Sequence, residues 1–423
     1  MHLKKKLISL LLIAVLVAGA AFAAKTIPAQ EKSVETAFAA KDTLYFWYAD
    51  DSLTDYLTNV SAAYYEEKGI HVVPVLRSGL EYLEEINDAS VHPGEDVPQM
   101  PDLYILTNDS LEKAYLSGLA AEIEDYGSIC NSETFPQTAL DAVTYQGKYV
   151  AYPFYYETSA FLYNKTYFED ADKKLPETIE GLLTFADEYD APEQVEAVFK
   201  WDVSDIFYNY YFTGNYMLVG GETGDDPQQL DIANENTQRC LEIYQNLNQF
   251  FSINTKEVTY DSVLQDFIDG KIVMTVATSD AAARMEAAKS DGSFAYEYGI
   301  ARMPDLTSDL KGRSLSVTNG IVVNGYSEKA ETANDFAAYL LDSHMKELYT
   351  TTGKLASCYG VEYENESLDA FMDEYEYSIS VPKMLGTGNF WVQLEICFSK
   401  VWSGADVKEQ LTELAEKIQK QLV

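Results

Sequence analysis

The sequence predicts an α/β protein made of two domains. Three observations carry that expectation. The chain has 423 residues, more than one hydrophobic core usually serves. From residue 43 to residue 123 its patterns alternate strand, helix, strand, helix, strand, helix, as in a largely parallel sheet layered with helices. Further strand and helix patterns of a different texture follow beyond residue 180.

The elements justify themselves in order. "TLYFWYADD" (43–51) is an apolar, aromatic run ending in two aspartates, which reads as a buried strand followed by a loop. "SLTDYLTNVSAAYYEEKG" (52–69) has helical spacing, with Ser52 and Asp55 placed as a capping box and Gly69 as the stop. "IHVVPVL" (70–76) is a second strand, "LEYLEEI" (80–86) a helix and "PDLYIL" (101–106) a third strand. A helix over 108–123 then opens at Asn108, Asp109 or Ser110. Beyond it, 181–190, 264–270, 280–292 and 327–342 read as helices, and 271–278, 298–304 and 315–325 as strands. The segment 406–422 is an amphipathic helix with Leu411, Leu414, Ile418 and Leu422 on one stripe.

Residues 1–24 carry three lysines, an apolar run from Leu7 to Ala18 and the small-residue pattern Ala21-Phe22-Ala23, the marks of a secretory signal peptide. The run is short for a membrane span, which needs roughly 20 apolar residues. Export is therefore expected, to the periplasm, cell surface or medium. "VAGA" (17–20) resembles a lipoprotein processing site, but Ala20 stands where the lipidated cysteine would be. Residues 25–41 read as a tether, because "AFAAK" occurs at both 21–25 and 37–41.

Composition narrows the partners. Thirty Lys and Arg against 68 Asp and Glu give a net charge of −38, which argues against nucleic acid and anionic membrane surfaces. Cys130, Cys240, Cys358 and Cys397 are far apart with no Cys-x-x-Cys pair, so no zinc ribbon or redox dithiol is expected. Cys358–Cys397 is one conceivable disulfide. The four histidines are too scattered for a metal site, and no cofactor is implied.

In α/β sheets, ligands bind in loops at the carboxyl ends of strands. Asp50 and Asp51 follow the first strand, and Asn108 and Asp109 follow the third. Helix capping accounts for some of these acids as well as a ligand site does. No nucleophile elbow, phosphate loop or dinucleotide fingerprint is present. Aromatic residues are more informative, with 32 tyrosines in the chain. They cluster with acceptors three times: with Glu157 at 152–163, with Asp202 and Asp205 at 201–212, and with Asn389 at 389–394. Core packing explains most of the rings. A sugar, whose C–H face stacks on rings while its hydroxyls meet carboxylates, would use the same mixture.

With those residues in hand, the chain resembles the extracellular solute-binding proteins of sugar transport systems, particularly the maltose/maltodextrin-binding branch. The likeness rests on "VTYQGKYVAYPFYYETSAFLYNK" (143–165), "FIDGKIVMTVATSD" (267–280), "YGIARMPDL" (298–306) and "NFW" (389–391) ahead of a final helical pair. It implies the type II periplasmic-binding-protein-like fold: two lobes, each a sheet flanked by helices, joined by a multi-strand hinge that closes on the ligand. Expected boundaries are 42–154 plus 318–358 for the first lobe and 155–317 plus 359–423 for the second. By position, the resemblance implies that Asp50, Asp51, Asn108, Asp109 and Glu157 accept sugar hydroxyls. Asp205 with Phe207 or Tyr208 would act from the other lobe, and Trp391 would stack on a sugar face. Where the family pattern has a tryptophan, "TSDAAARM" (278–285) has no ring. The implied function is a monomeric, non-enzymatic receptor that delivers an oligosaccharide to the permease subunits of an ABC importer. A receptor for another oligosaccharide, a secreted carbohydrate-active hydrolase and a surface adhesin are the alternatives.

Overall fold

The structure is a computed structural model that describes residues 43–92, 99–123, 129–251, 253–384 and 389–421. The expected signal peptide and tether lie outside the described residues. Strands β1 (Thr43–Tyr48), β2 (His71–Leu76) and β3 (Leu103–Thr107) form the parallel part of a first sheet, with β1 between the other two. Each crossover carries a helix, Thr54–Lys68 and Tyr82–Val91, as parallel pairing requires. Pro74 cannot donate to a ladder, and it sits in β2 at the sheet's edge.

The same sheet continues with strands from much later in the chain. β4 (Tyr152–Thr158) and β5 (Ala160–Asn164) are separated only by the buried Ser159. β4 belongs to the first sheet. β5 belongs to a second sheet with β6 (Ala197–Phe199), β7 (Ile272–Ala277) and β8 (Tyr298–Ala301), in the order β8-β5-β7-β6. The chain then returns through β9 (Leu315–Val323), which lies antiparallel between β3 and β4 in the first sheet. Its ladder to β4 slips at Asn319/Gly320. A Cβ on Gly320 would lie 2.8 Å from the Ala151 Cβ, so only glycine fits that approach. Short strands β10 (Leu355–Ala356) and β11 (Ile379–Ser380) add to β4 and β9. Just past β11, Val381 and Met384 pack into the second sheet's core, so the chain crosses between the lobes a third time.

Each sheet has its own core. Phe46, Leu57, Phe154, Ile321 and Phe336 represent the first lobe's main cluster. Trp201, Tyr244, Phe267, Trp402 and Leu411 represent the second, under the helices Glu235–Phe251, Phe390–Trp402 and Val407–Gln421. Leu368, Phe371 and Tyr375 pack in the first cluster, on the other side of the boundary expected at residue 359.

Several local expectations are corrected. No Ser52–Asp55 capping box forms; Asp50 caps the turn instead, accepting from the Ser52 N–H. The helix expected to reach residue 123 ends at Leu116, where Gly118 turns left-handed at φ 73°. All four cysteines are buried and free. Cys358 and Cys397 sit in different cores, which rules out their pairing. Burial pushes their thiols up, to about 11 and about 12.

Candidate functional site

The site is built where β1, β3 and β4 end. After β1 the chain turns through Ala49 to Asp50, whose Oδ1 accepts from the Ser52 N–H at 3.0 Å and the Ser52 hydroxyl at 2.7 Å. Its Oδ2 lies 2.7 Å from the Lys354 ammonium. That ammonium also donates to Glu157 Oε1 at 3.1 Å. The meeting follows from register. Leu355 of β10 faces Tyr156 of β4, so Lys354 stands across from Glu157.

A cavity of about 760 Å³ runs along these strand ends, walled by Asp50, Asp51, Tyr82, Thr107, Tyr155 and Glu157 among others. A second cavity of about 560 Å³ lies on the other side of Asp50 and Glu157, which line both. Its walls come from both lobes: Tyr349 and Lys354 from the first, Thr278, Asp280 and Arg284 from the second. Together they make an interlobe cleft with carboxylates at its middle.

Electrostatics hold that middle in one state. Burial would raise the Asp50 carboxyl, but hydrogen bonds from Lys354 and Ser52, with the lysine's charge, keep it below the ordinary carboxylate value. Burial would likewise lower Lys354, but Glu157 and Asp50 outweigh it and raise its pKa. Both groups are therefore charged at neutral pH. The cleft offers fixed acceptors, suited to hydroxyl groups.

The structure brings Asp50, Asp51 and Glu157 together on the cleft wall. Asp109 is exposed beside it, accepting from Thr107 Oγ1 at 2.6 Å, and Thr107 and Ser110 line the first cavity. Asn108 is corrected. It is fully buried; its amide donates to the Val381 carbonyl at 2.9 Å and accepts from the Thr318 N–H at 3.0 Å. Both halves of the side chain are occupied by backbone, so it fastens the hinge and does not face the cleft.

The residues expected from the second lobe, Asp205, Phe207, Tyr208 and Trp391, stand apart from both cavity walls. Asp205 caps the helix Ile206–Asn209 through the Phe207 N–H at 2.8 Å, and burial raises its carboxyl above the ordinary value. Tyr208 is buried and stacked on Tyr260, with centroids 5.6 Å apart. Tyr260 in turn donates to Asp280 Oδ1 at 2.8 Å, at the edge of the second cavity. Phe207 is half-buried. Trp391 is also half-buried, with its ring edge-on to Tyr210 at 6.0 Å.

The aromatic cluster around Glu157 reads differently in three dimensions. Tyr152, Phe154, Tyr156 and Phe161 are core residues, because β4 and β5 are buried on both faces. Among the described residues of 152–163, only Tyr155 joins Glu157 on the first cavity's wall. Sequence reasoning missed Lys354, which lies 197 residues from Glu157 with no local signal to tie them. It marked 278–285 as the place where a family ring is lacking, but gave Thr278, Ser279 and Asp280 no role. They follow β7 as Asp50 follows β1, so the strand-end rule that singled out Asp50 applies to them too.

A family model described as "Bacterial extracellular solute-binding protein" matches residues 59–368. The maltodextrin-binding protein of Bacillus subtilis (strain 168) is 21% identical over 373 residues, 84% of each chain. The extracellular solute-binding protein from Staphylococcus aureus, solved in complex with maltose, superposes with a TM-score of 0.77 at 22% identity, covering 90% of this chain and 98% of that one. A cyclo/maltodextrin-binding protein complexed with maltotetraose gives a TM-score of 0.76 at 19% identity, with 90% and 97% covered. At these identities the structural likeness establishes the two-lobed fold.

Proposed function

Because the chain belongs to the bacterial extracellular solute-binding protein family, we propose that it is the extracytoplasmic receptor of an ABC importer for a maltodextrin-like oligosaccharide. The carrying observation is the cleft itself: two cavities meeting at Asp50 and Glu157, with walls from both lobes. An elongated sugar spans such a cleft, meeting carboxylates with its hydroxyls and rings with its C–H faces. Hinge closure over the three crossings brings Phe207 and Trp391 to the sugar from the second lobe. The closed form is the state that permease subunits recognise, and the receptor acts as a monomer.

Calorimetric titration with maltotriose, with cellotriose as control, tests the reading. Micromolar binding of maltotriose alone is expected, weakened at least tenfold in Trp391→Ala, since a stacked ring contributes on the order of 1 kcal/mol beyond its buried area. Silence toward both sugars would discard the glucan reading. Release of reducing ends from glucan would replace the receptor with a hydrolase.

A further inference from the structure

We propose that Lys354 is a specificity-determining residue of this cleft: its ammonium occupies the place between Asp50 and Glu157, fixes them as acceptors for neutral hydroxyls, and shuts out ligands carrying an ammonium of their own. The inference rests on the oligosaccharide reading and deepens it, by naming the charge class of the ligand.

The geometry is specific to this lysine. Three cations stand in the two cavity walls: Lys113, Arg284 and Lys354. Lys113 is held by Glu84, and Arg284 by Asp261 at 2.7 Å with Asp280 at 3.9 Å. These are ion pairs at the rim, where such pairs do little. Lys354 is different, because it joins the two carboxylates common to both cavities. Its side chain is 20% exposed, against 35% for Asp50 and 46% for Glu157. Lys354 is thus the most buried side chain of the trio, and its ammonium sits 5.4 Å from the Tyr155 ring centroid, where a cation is attracted.

Its mounting is rigid. Gly353 turns left-handed at φ 73° to end the helix Lys346–Thr352, and the Lys354 N–H donates to Thr352 Oγ1 at 3.0 Å. The next two residues are locked into the β4 ladder. An ammonium has three protons. Two are directed to Asp50 and Glu157, and among the described residues no acceptor is shown for the third. That proton is available to a ligand oxygen.

Two consequences follow for the ligand. A hydroxyl gains a donor from Lys354 and acceptors from the remaining lone pairs of Asp50 and Glu157. A ligand ammonium meets a like charge a few ångströms away, and Lys354 already offsets one of the two carboxylate charges that would attract it. Without Lys354, the same pair of carboxylates would become a cation site.

Titration of the native chain, Lys354→Ala and Lys354→Arg with maltotriose separates the alternatives, each protein first checked for cooperative thermal unfolding. Maltotriose affinity is expected to fall at least tenfold in Lys354→Ala, the loss of a charged hydrogen bond, and to recover most of that in Lys354→Arg. In parallel, n-butylammonium is expected to raise the melting temperature of Lys354→Ala, and to restore part of its sugar affinity, while leaving the native chain unmoved. Equal maltotriose affinity in native and Lys354→Ala proteins would overturn the proposal. If the native chain binds no glucan, the glucan reading fails by itself. The lysine inference is then decided by the amine alone, and an amine that leaves Lys354→Ala unmoved overturns it. Should Lys354→Ala not fold, Lys354→Gln takes its place in both arms.

Discussion

Asn108 illustrates how one residue type serves three purposes that sequence cannot separate. An asparagine after a strand is equally suited to meet a ligand, cap a helix or bind backbone. Here it bridges the Thr318 N–H and the Val381 carbonyl, linking the end of β3 to two of the three crossings. Asn108→Ala would leave both backbone groups buried without partners, at a cost of about 3 kcal/mol. Urea unfolding should show that loss, and a stability equal to the native chain's would mean the bridge is idle. The acids Asp50, Asp51 and Glu157 were legible because a strand end or an apolar run made them conspicuous. Lys354 was not, because its role is created by pairing between strands that are distant in sequence.

Among the elements, those with strong periodicity or an apolar run were legible: β1, β3, β7 and β9 lie within about two residues of expectation. The helix Glu235–Phe251 escaped notice because polar Gln and Asn residues surround its narrow buried stripe of Cys240, Leu241, Tyr244 and Leu247. Tertiary packing supplies what local pattern does not show. Tyr244 lies 4.9 Å from Trp402 and 5.2 Å from Phe398, and Gln245 donates to the carbonyls of Val401 and Ala405. Leu247→Ala should cost about 2–5 kcal/mol, read as a lower urea midpoint. A cost below 1 kcal/mol would show that this helix is not part of the second lobe's core. The same logic explains β4, whose rings Tyr152, Phe154 and Tyr156 looked like a ligand surface but pack into the first lobe's core.

At the scale of the molecule, the first sheet is discontinuous in the chain. β9 fills the gap between β3 and β4 only after the whole second sheet has been encoded. A chain ended at residue 310 should therefore be insoluble or aggregate, since β3 and β4 would present open edges. A soluble, monomeric fragment of that length would refute this. The arrangement also imposes a schedule on the living chain. Emerging from its amino end, the polypeptide holds two unfilled strand edges until residues 315–323 appear, and closes them in one late insertion. A protein assembled in that order has a long interval of vulnerability, during which a holding chaperone has something definite to cover.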